Sequence, residues 1–157
     1  MSENPGELPP FDVEVLIQET RPTLLVHAAA SASAATGAFL LITAFQLWDL
    51  VVFRGRFKAI PVAFTIVGIV SLPLAVKIWR QRPWAAVAGL ALFGPTALGS
   101  SLCLFMSFTG GLISAAAALV PPLAIGAAVT TGLAIGSCRR TAAARRRLAT
   151  AGLDISV

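Results

Sequence analysis

Few side chains in this sequence could do chemistry, and their spacing decides what kind. His27 is the single histidine. Near the start of an apolar segment, an imidazole could be an axial ligand to a haem or chlorophyll, any second ligand coming from a partner. A lone histidine there also suits a hydrogen-bonding role at a membrane surface, which is the plainer reading. Asp49 follows Trp48 near the far end of the same segment. A carboxylate inside a membrane marks a proton or ion path, but Arg54 and Arg56 are near enough in sequence to pair with it at the rim. Cys103 and Cys138 lie toward opposite ends of different apolar segments. A disulfide needs Cα atoms within about 7 Å, and neither CxxC nor metal spacing is present. No Ser–His pair, paired carboxylates or metal-ligand cluster can be assembled. The expectation is a chain with no catalysis, no metal and no cofactor of its own.

The elements that must hold these residues are apolar. Of 157 residues, 57% are hydrophobic and 12% charged, and the mean hydropathy is +0.84. A soluble domain carries about 25% charged residues. The charges are also segregated, so long stretches carry none. The class is therefore a membrane protein with several spans. A net charge of +5 could suggest nucleic acid, but the basic residues sit at the ends of apolar runs, where membrane topology accounts for them. No basic groove with interleaved aromatics is present, so no nucleic-acid partner is expected. Arg outnumbers Lys ten to two and Ala is very common, which fits a GC-rich bacterial genome; the expected location is a bacterial cytoplasmic membrane.

Residues 1–22 read as an acidic tail with a short docking segment. Glu3, Glu7, Asp12, Glu14 and Glu19 stand against Arg21 alone, the opposite of a signal peptide's basic start. The tail is expected to be retained. Within it, Phe11 to Ile17 alternates as a short strand would, and a short interfacial helix fits almost as well. Residues 23–138 then hold four apolar segments, about 24–52, 59–78, 84–108 and 112–137. Roughly 20 residues at 1.5 Å each cross the hydrocarbon core, and backbone groups in lipid must pair internally, so these segments are helices. "FRGRFK", "WRQRP" and "FTGG" connect them. Connections this short make successive helices antiparallel neighbours. The expected fold is an all-α, up-down-up-down bundle of four transmembrane helices. Trp48, Trp79 and Trp84 fall near segment ends, at headgroup level. The N tail, the second loop and the C tail hold nine basic residues, against Arg54, Arg56 and Lys58 on the other side. Both termini should therefore be cytoplasmic.

Helix association in lipid rests on close van der Waals contact, which small residues allow. Positions four apart share a helix face, so Ala29, Ser33 and Gly37 form one small-residue ridge. Ala128, Gly132 and Gly136 form a second. The two helices either pack on each other or turn one face to a partner subunit. Pro73, Pro95, Pro121 and Pro122 fall inside helices, where kinks are expected. Residues 139–157 form a basic C tail that can prolong the last helix. Arg139, Arg140, Arg145, Arg146 and Arg147 are its candidate contacts to anionic headgroups or to an acidic face of a larger assembly.

By elimination, these features describe a non-catalytic accessory subunit of a larger membrane complex, of an energy-transducing kind. Its partners would be other membrane subunits and lipids. The alternative is a small-molecule or lipid carrier, as a homodimer, with Gly37, Pro95 and Pro121 as flexion points. A pigment or haem holder through His27 is the third reading.

Overall fold

In the computed structural model the described residues are 10–52, 59–110 and 115–150, and all five elements are helices. They are α1 (Pro10–Glu19), α2 (Leu24–Val52), α3 (Ala59–Trp79), α4 (Pro83–Gly110) and α5 (Ala115–Thr150). The side chains of Asp49 and Cys103 lie outside the described ones, as do Arg54 and Arg56. The expected ion pair of Asp49 therefore falls there too.

The four long helices are long and apolar enough to cross a membrane. At 1.5 Å per residue, α2 measures about 43 Å and α5 about 54 Å, both longer than a hydrocarbon core of about 30 Å. Between 28% and 39% of the most apolar window of each is buried within the molecule. The rest is outward-facing and apolar: Phe45, Ile66, Ile69, Leu98 and Leu133 are all more than half exposed. So continuous an apolar surface marks a face for lipid or for other proteins.

Residue pairs fix the directions of the chain. His27 meets Trp79, and Gly37 meets Gly68 and Ser71, so α2 and α3 are antiparallel. Thr23 meets Ser137 and Thr36 meets the Leu123 carbonyl, so α2 and α5 are antiparallel as well. Gly89 of α4 lies against Thr131 of α5 and Ile78 of α3. The helices alternate up and down, but they do not share the core evenly. α2 packs broadly on α3 and α5, and α5 broadly on α4, while α3 and α4 touch along a thin seam.

The buried stripes explain this arrangement. On α5 they run Val120, Ala124, Ala127, Thr131, Ala134, Cys138, Thr141, Ala144 and Leu148. Steps of four and three mostly alternate, which keeps one face turned inward. On α2 the stripe holds Val26, Ala29, Ala30, Ser33, Thr36, Gly37, Leu40, Thr43 and Ala44. Small residues dominate both, so the two backbones come close. Phe93, Leu74 and Ile78 fill the space that remains.

Hydroxyls inside the apolar segments mostly bond to their own helix. Ser33 donates to Ala29 O at 2.7 Å, Ser71 to Val67 O at 2.6 Å and Thr96 to Leu92 O at 2.6 Å. This removes an exposed polar group without needing a partner helix. Thr43 and Thr131 differ: among the described residues their buried Oγ1 atoms have no hydrogen-bond partner.

Two segments that the sequence left with more than one form take a single one. The Phe11–Ile17 segment is the helix of its two readings: a helix pairs its own backbone groups, whereas a strand needs a ladder partner and none is present among the described residues. Leu16 docks this helix on Ala144 and Leu148 of α5. The basic C tail prolongs the last helix, as its sequence allows: α5 continues unbroken from the apolar region to Thr150. The helices continue through Pro73, Pro95, Pro121 and Pro122.

Candidate functional site

The thin α3–α4 seam opens into a crevice in the half of the bundle farthest from α1. Its volume is about 370 Å³. Ala63, Phe64 and Val67 line one wall, and Pro95, Gly99 and Ser100 the other. The local sequence accounts for the gap. Ala63 on α3 and Gly99 and Ser100 on α4 give little side-chain volume to the lining. A Cβ placed on Gly94 or Gly99 would meet nothing within 4 Å. The wall hydroxyls are already used, Thr96 on Leu92 O and Ser100 on Ala97 O. What remains is an apolar, laterally open groove with no charged side chain in its lining among the described residues. Such a lining can bind hydrocarbon or a second helix.

The residues singled out from sequence are dispersed. Ala29 and Ser33 are fully buried in the α2 stripe. Gly37 is spent inside the chain: a Cβ there would lie 2.9 Å from Ser71 Cβ and 3.1 Å from Gly68 O. Gly68 was not singled out, yet it is the other half of this crossing, since its own Cβ would lie 2.7 Å from Leu41 Cγ. The signal was available, for Gly68 is the one glycine in α3. Ala128 is half-buried against the core, Gly132 is half-buried beside Leu90, and Gly136 is exposed with open space around it. Steps of four drift about 40° each around a helix of 3.6 residues per turn, which carries Gly136 off the packed stripe.

His27 packs edge-on against Trp79, with ring centroids 4.6 Å apart and planes at 77°. Cys138 is buried in the core with its thiol free. Among the described residues no group of three His, Cys, Asp or Glu side chains could hold a metal ion.

Arg139, Arg140, Arg146 and Arg147 are exposed on the α5 extension, whereas Arg145 turns inward and donates to Gln81 Oε1 at 3.0 Å. Gln81 is the second residue missed from sequence. It closes the α3–α4 turn with φ at 56°, although it is not glycine. Its N–H bonds Ile78 O at 2.8 Å, and the N–H of Arg82 bonds Lys77 O at 3.1 Å. This is a Schellman cap with Gln81 in the left-handed position that glycine favours. Gln81 is 3% exposed, and its Nε2 has no partner. The absence of any glycine between α3 and α4 was the available clue.

The fold and its crevice thus define a class: an all-helical chain with four membrane-length apolar helices and a lateral apolar groove. Comparison with protein-family models, curated proteins and solved structures found no match.

Proposed function

We propose that the chain is an integral membrane protein acting as a non-catalytic accessory subunit of a larger membrane complex, with both termini on the cytoplasmic side. The observation that carries this reading is the α3–α4 groove. Its walls are apolar, it opens sideways toward where lipid would be, and Gly99 and Ala63 let another backbone approach. A partner's transmembrane helix is the occupant that small-residue walls suit best. Arg139, Arg146 and Arg147, exposed on the α5 extension, would add salt-sensitive contacts to an acidic face of the partner. The bacterial cytoplasmic membrane and an energy-transducing complex belong to the same proposal, supported by composition alone.

Extraction from native membranes in mild detergent, followed by a native gel, a visible spectrum and mass spectrometry of the band, tests it. The wild-type chain should run in a large band with defined partners. Gly99→Leu should release it from that band while its own melting temperature holds, because Gly99 has open space for a side chain. A colourless band of this chain alone would sink the subunit reading. A second reading, a carrier of small apolar molecules, draws on the same groove. It requires Gly99→Leu to abolish transport while leaving the assembly intact.

A further inference from the structure

A second cleft, of about 390 Å³, lies at the opposite end of the bundle, where the elbow between α1 and α2 wraps α5. Two features set it apart from the α3–α4 groove. Arg21 and Arg140 both line it, and both are exposed. Among the described residues the one arginine side-chain hydrogen bond is that of Arg145 to Gln81, so these two guanidinium groups are available. Beside them the hydroxyls of Thr23 and Ser137 bond each other at 2.9 Å, linking α2 to α5. Only one hydroxyl of such a pair donates to the other, so one O–H is left to give.

The lining is graded along the helix axes. Leu25, in the first turn of α2, follows Arg21 of the elbow by four residues, and Leu133 precedes Arg140 by seven on α5. Because α2 and α5 are antiparallel, both steps run toward the apolar spans. At 1.5 Å per residue the leucine on α5 sits about 10 Å deeper than its arginine. Leu25 and Leu133 also line the cleft, and both are exposed. Gly136 lies between them and Arg140, with nothing within 4 Å of a would-be Cβ. Glu19 contributes one carboxylate to the rim, leaving two positive groups against one negative. The elbow is held in place, since Thr141 donates to Glu19 O at 3.2 Å.

We propose that this cleft binds an anionic phospholipid, its phosphate between Arg21, Arg140 and the free hydroxyl, and one acyl chain descending over Gly136, Leu25 and Leu133. Paired guanidinium groups suit phosphate oxygens. The apolar floor just below them suits a chain joined to that phosphate. The proposal rests on α2 and α5 crossing a bilayer and not on a partner subunit.

The test uses the full-length chain in uncharged detergent micelles, titrated with phosphatidylglycerol or with phosphatidylcholine of the same acyl chains. Bound lipid is read by native mass spectrometry. Wild type should prefer phosphatidylglycerol. Arg21→Gln combined with Arg140→Gln should weaken that binding on the order of 20-fold, each basic group near such a headgroup being worth a factor of about five. Arg146→Gln with Arg147→Gln should change it less than about twofold. Gly136→Phe keeps every charge and fills open space, so it should displace the lipid with the melting temperature unchanged; it also decides the matter if the arginine variant does not fold. An equal loss in the Arg146/Arg147 variant, or no preference in wild type, overturns the proposal. So does displacement by inorganic phosphate at low millimolar concentration, which would mark a soluble phosphate site.

Discussion

Gly37 and Gly68 show how much a missing side chain can hold together. Each lies against the other's carbonyl oxygen, at 3.1 and 3.0 Å from the would-be Cβ. Ser71 Cβ, 2.9 Å from the would-be Cβ of Gly37, belongs to the neighbouring backbone and cannot swing away. Gly37→Leu should therefore separate α2 from α3 and destabilise the fold by about 1–3 kcal/mol or more, the usual cost of overpacking. Thermal unfolding in detergent checks this, with Gly99→Leu as the tolerated counterpart. Gln81 offers a sharper test. Left-handed backbone costs a non-glycine residue about 1–2 kcal/mol, and here the Arg145 contact and burial offset it. Gln81→Ala removes the contact and keeps the strain. Gln81→Gly removes both and should come out about 1 kcal/mol more stable than the alanine variant in denaturant unfolding. An alanine variant as stable as the glycine variant would show that the turn stores no strain.

Among the helices, α5 does the most. Its buried stripe serves α2 and α4 through Ala127, Ala134 and Cys138, then continues past the apolar region to receive α1 on Ala144 and Leu148. One stripe thus couples the membrane-length part to the N-terminal helix. Leu148 is 1% exposed, so Leu148→Asp would bury an unpaired charge unless α1 leaves. The expected result is release of α1, seen as fast hydrogen exchange at residues 10–19, with α2–α4 still protected. Unchanged protection at 10–19 would mean that the Thr141–Glu19 bond and the elbow hold α1 without the leucine contact. Arg145 belongs to this scale as well. Sequence groups it with Arg146 and Arg147, but helical rotation turns it inward to Gln81 while its neighbours stay exposed.

At the scale of the molecule, the uneven seams are the main result. Four helices of this kind could close a ring, yet α3 and α4 meet only along a thin line, and the groove there is the lateral opening on which the subunit proposal rests. The number and alternating direction of the long helices were legible in the sequence, and so were most of their limits, but not the end of α5 at Thr150. Apolar run length is set by the medium, and connections as short as "WRQRP" leave few ways to return. That Ala29, Ser33 and Gly37 share one face of small residues was legible too. Which helix they would meet was not. A periodic pattern marks a face but carries no information about what lies opposite, so Gly37 against Gly68, the thin α3–α4 seam and the Arg21–Arg140 cleft were decided by how the helices pack. The Phe11–Ile17 segment makes the same point at short range: its pattern fitted strand and helix alike, a strand would have needed a partner strand, and the helix it forms docks on α5 at Leu16. Periodicity is a property of one segment, whereas a contact needs two, and only the tertiary structure supplies the second.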